Sequence, residues 1–332
     1  MSLRLKPLDE QVIVITGASS GIGLVTARTA AGRGASVFLV SRDGAALAQI
    51  AAELTAKGCD ADFHVADVGD VDQVRAAADG AVKRFGRIDT WVNDAGVAIY
   101  ASLEDTPVDE HQKLFQTNYF GTVNGALAAL PYLKRQGGAL ITVGSIVGDV
   151  APPLMGAYGA SKHAIKGFVR SLRIELQAAG APVSVTLIKP SGIDTPVWRH
   201  AADHADGAGR IPPPVYDPML VADAILDAAV HPRREVTVGG GGRLQVLFGT
   251  HFPRAWEAIA PIGAQLFTAH GKQQPRPSNL YAPVGNLAER SGKQSGRKTS
   301  VYTSVAKRPG LAGMVLATAV LGGVLAARRG RV

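Results

Sequence analysis

Short apolar segments rich in β-branched residues recur along the first 240 residues, and longer segments with helical periodicity separate them. The pattern predicts seven strands, at Val12–Ile15, Ser36–Val40, Asp62–Val65, Thr90–Val92, Ala139–Val143, Ser184–Ile188 and Glu235–Val238. The helices predicted between them are Leu24–Ala31, Ala45–Ala56, Val71–Phe85, Glu110–Tyr132, Ala160–Ala179 and Leu220–Val230. Such alternation predicts an α/β fold with a doubly wound, mostly parallel sheet whose ligands bind at the carboxyl ends of the strands.

The pattern changes after four glycines that end at residue 242, so we assign residues 1–242 to one α/β domain. Residues 243–270 are apolar and aromatic, which predicts a helical extension, and residues 271–306 are polar and basic, which predicts a flexible linker. Within residues 307–332, the stretch 311–327 carries no charge and lies between basic pairs. It would be about 25 Å long as a helix, a little less than the ~30 Å of a bilayer core. We predict a C-terminal membrane anchor, with a self-associating hydrophobic tail as the alternative.

Charge and cysteine content narrow the class of protein. The single cysteine, Cys59, excludes an internal disulfide framework and is typical of a reducing compartment. The net charge of +8 belongs to the carboxyl-terminal part, because eleven of the 35 basic residues but only one of the 27 acidic residues follow position 270. The predicted α/β domain is therefore nearly neutral. The basic tail has few aromatic residues and no nucleic-acid motif, so we expect no nucleic-acid partner.

A glycine-rich turn joins the first predicted strand to the first predicted helix, in the sequence Thr16-Gly-Ala-Ser-Ser-Gly-Ile-Gly23. Its glycines permit a tight turn, approach of the backbone to a pyrophosphate, and close packing of the helix on the strand. The amino terminus of that helix attracts negative charge. Since the strand precedes the turn and the helix follows it, we predict a dinucleotide site rather than an ordinary turn. Its candidate residues are Gly17, Ser19, Ser20, Gly21, Ile22 and Gly23.

Tyr158 and Lys162 are four residues apart in a predicted helix, so their side chains share one face. A lysine ammonium beside a phenol lowers the pKa of the phenol, and a tyrosine tuned in this way can exchange a proton with an alcohol oxygen. Ser145 follows a predicted strand, at the end where this kind of fold builds its site, and its hydroxyl would bond the same oxygen. Each residue alone is typical of a protein surface. Together they predict acid–base chemistry.

These motifs, in this order, resemble the short-chain dehydrogenase/reductase family over residues 8–240, about three-quarters of the chain. The resemblance implies a Rossmann-like fold, and a catalytic set in which Asn118 supports a water chain to Lys162 beside Ser145 and Tyr158. It implies that Tyr158 and Lys162 also contact the cofactor, and that the segment 192–218 closes over the substrate. Further cofactor contacts are implied at strand ends, at Asp67, Val68, Asn93, Ala95, Gly96, Ile193 and Thr195. The chain departs from the family at Asp94 and Ser191, where the family usually has Asn and Gly.

The end of the second predicted strand indicates which dinucleotide is bound. An NAD site places a carboxylate there for the ribose hydroxyl, whereas an NADP site places cations and hydroxyls there for the 2′-phosphate. The chain has Ser41 and then Arg42, whose guanidinium matches phosphate geometry. Asp43 is better explained as the N-cap of the next helix. We therefore predict NADP(H), with NAD(H) as the less favoured cofactor.

The sequence predicts an NADP(H)-dependent oxidoreductase that interconverts a carbonyl and a secondary or primary alcohol on a hydrophobic small molecule. The hydrophobic character rests on apolar residues near the predicted site, namely Leu154, Met155, Ile193, Val197, Trp198, Ile211 and Val215. A non-catalytic dinucleotide-binding or sensor protein on the same fold is the alternative. The chemistry requires no metal, and His200 and His204 lack a third ligand nearby. The predicted anchor implies a membrane-associated protein with its catalytic domain in the cytoplasm, and a soluble cytoplasmic protein is the alternative. The sequence leaves a homo-oligomer open.

Overall fold

The computed structural model describes residues 3–205, 208–263, 268–269, 277–285 and 287–306. Seven strands form the main sheet, and they are β1 Val12–Thr16, β2 Ser36–Ser41, β3 Ala61–Val65, β4 Thr90–Asn93, β5 Gly138–Val143, β6 Val183–Pro190 and β7 Glu235–Val238. Their order across the sheet is β7-β6-β5-β4-β1-β2-β3, and every neighbouring pair is parallel. The Rossmann-like α/β fold and the seven-stranded parallel sheet predicted from the sequence are confirmed.

Chain direction across the sheet reverses between β1 and β4. From β1 the chain first proceeds outward to β2 and β3, and it then returns to place β4 on the other side of β1. The helices that follow β1 and β4 therefore pack on opposite faces of the sheet and leave a crevice at its carboxyl edge. Ligands of doubly wound sheets bind in such a crevice.

Both faces of the sheet are buried, which explains the continuous apolar runs. On β1, Ile13 and Ile15 lie in one core cluster and Val14 lies in the other, as the alternation of a strand requires. The first cluster is covered by α1 (Gly21–Gly32), α2 (Gly44–Ala56) and α8 (Pro218–Val230). The second is covered by α3 (Val71–Phe85), α5 (Gly121–Gln136) and α6 (Gly156–Ala178).

The predicted helix Glu110–Tyr132 is not one regular helix. It consists of α4 (Val108–Phe115), a π-helical turn at Gln116–Phe120, and α5. The additional residue of a π turn leaves the apolar periodicity nearly unchanged, so the sequence pattern did not reveal it. At the junction, a Cβ on Gly121 would lie 2.6 Å from Val68 Cγ2, so the glycine leaves room for the Val68 side chain of the loop after β3.

The segment 192–218, which the family resemblance implies closes over the substrate, follows β6. Its described residues include a short helix, α7 (Val197–His200), and two strands of two residues each. Ala202–Asp203 pairs in parallel with Ile99–Tyr100, and Ala208–Gly209 pairs antiparallel with Thr268–Ala269. Backbone hydrogen bonds therefore tie this segment to the rest of the domain.

The helical extension contains α9 (Gly240–His251) and α10 (Pro253–Gly263), and α9 begins two residues before the boundary that we placed at residue 242. The glycines are needed there because a Cβ on Gly242 would lie 2.5 Å from Ser191 Oγ. The predicted membrane helix at residues 311–327 lies outside the described residues and stays a prediction. Among the residues that are described, no helix is long and apolar enough to cross a bilayer.

The described part of residues 271–306 differs from the flexible linker that its composition predicted. Leu280 is fully buried in a third apolar cluster, and Ser291 and Ser300 are buried as well. The segment ends in α11 (Val301–Ala306), where Thr303 Oγ1 accepts a hydrogen bond from Gly239 N at 3.0 Å. The composition did not reveal that the segment packs on the domain, because the buried contacts depend on single residues spaced among polar ones.

Leu280→Ala tests this packing. It should reduce the free energy of unfolding by about 2–4 kcal/mol, since the lost side chain leaves a cavity in a closed cluster. Leu244→Ala is the matched control, because Leu244 is 69% exposed and its loss should cost less than about 0.5 kcal/mol. Chemical denaturation of the full chain measures both. Equal stability of the two variants would contradict the packing of this segment.

Candidate active site

A cavity of about 300 Å³ lies along the carboxyl edge of the sheet. The loops that follow β1 to β6 line it, together with α6, the extension and the carboxyl-terminal segment. Most of the residues that the sequence predicted lie on its wall, and these are Gly17, Ser19, Ser20, Gly21, Ile22, Ser41, Arg42, Asp67, Val68, Ala95, Gly96, Ser145, Tyr158, Lys162, Ile193 and Thr195. Gly23, Asn93 and Asn118 are not among the residues that line it.

The glycine turn packs directly against the loop after β4. Gly17 has φ +74°, and a Cβ on it would lie 2.8 Å from the backbone of Ala95. A Cβ on Gly23 would lie 2.3 Å from the carbonyl oxygen of Gly17. Thr16 completes the contact, since its Oγ1 accepts hydrogen bonds from Asp94 N and Ala95 N at 3.1 and 3.2 Å. Gly23 therefore has a packing role, and the part of the turn that lines the cavity is Gly17 and Ser19–Ile22.

The two predicted asparagines lie behind the cavity wall. Asn93 Oδ1 accepts a hydrogen bond from Trp91 Nε1 at 2.8 Å, and its amide nitrogen faces the carbonyl of Thr122 at 3.4 Å. Asn118, in the π turn, is fully buried and accepts a bond from Val97 N at 2.8 Å. Its Nδ2 donates to Ser161 Oγ at 3.1 Å, which connects the π turn to the helix that carries Lys162. These side chains position the wall of the cavity.

Ser145, Tyr158 and Lys162 come together from β5 and α6. Ser145 follows β5 and caps a short 3-10 turn, its hydroxyl accepting a bond from Val147 N at 3.3 Å. Tyr158 lies in the first turn of α6 and is hydrogen-bonded to the side chain of Ser145. Lys162 is one turn later, with Nζ 5.5 Å from the centre of the Tyr158 ring and bonded to the carbonyl oxygen of Val143 at 3.0 Å.

Burial dominates the electrostatics of this group. It raises the pKa of Tyr158 to about 12, although the bond with Ser145 lowers that pKa and the charge of Asp94 raises it further. It lowers the pKa of Lys162 to about 8, with Asp94 opposing that change. The sequence led us to expect a lowered tyrosine pKa. In the structure the ammonium binds a backbone carbonyl, and the loss of solvation around the phenol is the larger effect.

Asp94 is a third titratable group at this centre. Burial raises its pKa to about 7, while Lys162 and a backbone hydrogen bond from Gly23 lower it. Its carboxylate and the Lys162 ammonium therefore stabilise each other near neutral pH. The sequence marked Asp94 only as a departure from the family, and its position in the cavity wall makes that departure electrostatically significant.

The adenosine side of the predicted cofactor site contains Ser41, Arg42 and Asp67. Asp43 caps α2, as predicted, by accepting a bond from Ala46 N at 3.0 Å. Burial would raise the pKa of Asp67, but hydrogen bonds from Gly69 and Lys113 outweigh burial and lower it. Arg42 Nη1 lies 4.0 Å from Asp67 Oδ2. Arg42 is also bonded to carbonyl oxygens of the carboxyl-terminal segment, a contact that the sequence did not predict.

Several wall residues were missed by the sequence analysis. They come from the π turn, from the segment after β6, and from beyond residue 242, and they are Thr117, His200, Gln245, Trp256, Asn279, Pro283 and Val284. None of them belongs to a recognisable motif. Only folding brings these distant segments to the carboxyl edge of the sheet.

Comparison with known proteins agrees with the fold. Residues 11–206 match the family model described as short chain dehydrogenase. An uncharacterised oxidoreductase of Bacillus subtilis, YxnA, is 40% identical, and the alignment covers 98% of this chain and 91% of that protein. A second protein of the same organism, the uncharacterised oxidoreductase YusZ, is 32% identical over 76% of this chain and 98% of its own length. The chain belongs to the short-chain dehydrogenase/reductase family, and it is an oxidoreductase of that family.

Two solved structures resemble the protein in three dimensions. A short-chain dehydrogenase/reductase from Burkholderia phymatum, in complex with NAD, superposes with a TM-score of 0.68 at 26% identity, and the match covers 82% of this chain and 99% of that one. An alcohol dehydrogenase from Thermococcus sibiricus, complexed with 5-hydroxy-NADP, superposes with a TM-score of 0.61 at 28% identity over 68% and 95% of the two chains. Both nicotinamide dinucleotides therefore occur among similar structures.

Asp94→Asn should move the pH profile of activity to lower pH. The negative charge of Asp94 raises the pKa of both Tyr158 and Lys162, so its removal lowers both. We expect a displacement of about 0.5 in pH, the size of effect that one nearby charge produces at an intermediate dielectric. The measurement is kcat/KM against pH for a substrate found by screening carbonyl compounds. Asp72→Asn, which removes a carboxylate with 84% side-chain exposure outside the cavity wall, should leave the profile in place. Coincident profiles for Asp94→Asn and the parent would refute the coupling.

Proposed function

We propose that this protein is an NADP(H)-dependent oxidoreductase that interconverts a carbonyl and a secondary or primary alcohol on a hydrophobic small molecule. The observation that carries the proposal is the presence of Ser145, Tyr158 and Lys162 on the wall of one cavity with the glycine turn. A proton donor, a group that bonds the substrate oxygen and a phosphate-binding turn are the parts that such a reaction needs.

The residues present fit a nicotinamide dinucleotide. At Gly17 and Gly21 the backbone itself lines the cavity, and Gly21 begins α1, whose positive dipole end favours the negative charge of a phosphate. The dinucleotide, when bound, supplies the hydride for reduction and accepts it in oxidation. Gly21, Ser41 and Tyr158 line the same cavity, which supports placement of one elongated ligand along the edge of the sheet.

In this proposal Tyr158 gives its phenolic proton to the carbonyl oxygen in reduction and takes a proton from the alcohol in oxidation. Ser145 donates a hydrogen bond to the same oxygen and stabilises its developing negative charge. Lys162 is buried and carries a proton below its pKa of about 8, so its positive charge offsets the negative charge that forms on the phenol. Asn118 acts indirectly, since its bonds to Val97 and Ser161 hold the backbone beside Lys162.

The preference for NADP(H) rests on the residues at the end of β2. Ser41 occupies the position at which an NAD site would place a carboxylate, and the Asp43 carboxylate is engaged by the amide of Ala46. Arg42 is half-buried and lines the cavity beside them. These features support recognition of a 2′-phosphate.

A hydrophobic substrate is supported by the other end of the cavity. Of the apolar residues chosen from the sequence, four line the cavity, and these are Met155, Ile193, Val197 and Ile211. The segment after β6 adds Pro212, Pro213 and Pro214, and α10 adds Trp256. Apolar walls with a few polar groups are typical of small-molecule sites.

Tyr158→Phe should reduce kcat by about 10²- to 10⁴-fold, the usual contribution of a general acid. The dissociation constant of NADPH should change little, because the ring is preserved. Stopped-flow or steady-state NADPH oxidation measures turnover, and fluorescence titration measures binding. Tyr132→Phe is the control, since that hydroxyl binds Asp79 outside the cavity wall, and its activity should equal that of the parent. Turnover of Tyr158→Phe within a few-fold of the parent would remove Tyr158 from the mechanism.

A parent protein that binds NADPH but reduces none of the carbonyl compounds screened would favour the alternative of a non-catalytic sensor protein.

Arg42→Ala should narrow or reverse the preference for NADPH. Loss of a charge-assisted contact worth about 1.5–3 kcal/mol predicts a fall in kcat/KM with NADPH of about 10- to 100-fold, with a smaller fall for NADH. Arg75→Ala removes a cation with 66% side-chain exposure and should leave both constants unchanged. Equal kcat/KM values for the two cofactors in the parent, or an equal fall in both for Arg42→Ala, would argue against recognition of the 2′-phosphate.

A further inference from the structure

Residues 277–285 and 287–291, which we call the C-terminal strap, run along the carboxyl edge of the sheet. Near its start the strap bonds Arg42 at the end of β2, and at its end Ser291 N donates to Asp194 Oδ1 at 3.0 Å, in the loop after β6. The strap therefore crosses from the adenosine side of the proposed cofactor site to the loop that carries Ile193 and Thr195.

The strap engages Arg42 through its backbone. The guanidinium donates hydrogen bonds to the carbonyl oxygens of three consecutive residues, Asn279, Leu280 and Tyr281, the last at 3.2 Å. Leu280 is fully buried, which fixes the backbone around it. These carbonyl oxygens are neutral acceptors, so they orient the guanidinium without pairing its charge, and the carboxylate that pairs with it is Asp67, 4.0 Å from Nη1.

Three further hydrogen bonds, one with Gly21 and two with Asp217, fix the rest of the strap. The carbonyl oxygen of Ala288 accepts a bond from Gly21 N at 3.0 Å, at the amino terminus of α1. Arg290 binds Asp217 through two nitrogens, at 2.9 and 3.0 Å, and Asp217 is the N-cap of α8. Burial would raise the pKa of Asp217, but the bond from Arg290 outweighs it and lowers that pKa. The strap is thus tied to the amino termini of two helices, α8 through Arg290 and α1 through Ala288, and the amino terminus of α1 is the one beside the proposed phosphate site.

The strap forms a wall of the cavity, with Asn279, Pro283 and Val284 lining the same space as Gly17 and Arg42. The side-chain oxygen Oδ1 of Asn279 is buried and has no hydrogen-bond partner among the described residues. A buried acceptor without a partner costs about 1–3 kcal/mol, so a ligand that donates a hydrogen bond there would recover that energy. Phosphate oxygens at neutral pH mostly lack such a hydrogen, whereas the adenine amino group and the ribose hydroxyls have one.

We propose that the C-terminal strap is part of the dinucleotide site, and that the Asn279 side chain binds the adenosine end of the cofactor by accepting a hydrogen bond from its base or ribose. The inference rests on the proposed dinucleotide-dependent function. It assigns to a segment outside the matched family region a direct part in cofactor binding. Arg42 then has two roles, since it faces the 2′-phosphate and holds the backbone that presents Asn279.

The test is direct binding to the full chain, without turnover. Asn279→Ala removes only the side chain, so the bonds from Arg42 to the backbone carbonyls and from Asn279 N to His200 O at 2.7 Å stay in place. We expect the dissociation constants of NADPH and of ADP-ribose, which lacks the nicotinamide, to rise by a similar factor of about 5–10. Ser278→Ala, a change at the neighbouring position, is the control and should bind both like the parent.

A second variant tests whether the strap encloses the cofactor. Arg290 is not among the residues that line the cavity, so Arg290→Gln loosens the strap without removing a cofactor contact. NADPH released into excess unlabelled competitor should dissociate several-fold faster from Arg290→Gln than from the parent. Lys293→Gln, at an exposed position two residues after the strap, should not change the rate.

Unchanged binding of NADPH and ADP-ribose by Asn279→Ala would overturn the role of Asn279. Tighter NADPH binding by Arg290→Gln would also overturn the proposal, because it would mean that the strap competes with the cofactor. Failure of the parent to bind NADPH, NADH or ADP-ribose would instead refute the proposed function itself, and this inference with it. Binding in Tyr158→Phe without turnover separates the cofactor site from the chemistry.

Discussion

The glycine turn and the loop after β4 meet backbone to backbone, and the geometry of the site depends on that contact. A Cβ on Gly17 would lie 2.8 Å from the backbone of Ala95, and a Cβ on Gly23 would lie 2.9 Å from Asp94 Oδ2. The absence of these side chains lets α1 begin at the edge of the crevice where the chain direction reverses. It also brings the carboxylate of Asp94 close to the helix that carries Lys162. One packing constraint thereby forms the phosphate-binding turn and the charged centre together.

Burial then decides the chemistry of that centre. The phenol of Tyr158, the ammonium of Lys162 and the carboxylate of Asp94 share a poorly solvated space. Burial shifts each pKa in the direction that favours the neutral form of the group. The centre is held together by a positive and a negative group that are both close to losing their charge near neutral pH. Its protonation therefore responds to any further charge in the cavity, including that of a bound ligand.

The carboxyl-terminal segment joins elements that are far apart in the chain. Arg290 bonds the N-cap of α8, Ser291 bonds Asp194 after β6, and Leu280 fills the third apolar cluster, against which Tyr158 packs. Each contact depends on one residue among polar neighbours. Low hydrophobicity indicates flexibility in many chains. In the described part of this segment that indication differs from the structure, because a few single residues make the buried contacts.

The sequence alone determined the seven strands, their alternation with helices and the membership of the family, because buried parallel strands and glycine turns impose local patterns that can be read directly. Most of the site residues that it identified line the cavity, since they follow the strands at predictable positions. Only the tertiary structure decided that Asn93 and Asn118 lie behind the wall, that Glu110–Tyr132 is interrupted by a π turn, and that Asn279 lies beside Arg42. These outcomes depend on contacts between residues distant in sequence and on burial, neither of which leaves a periodic signal in the chain.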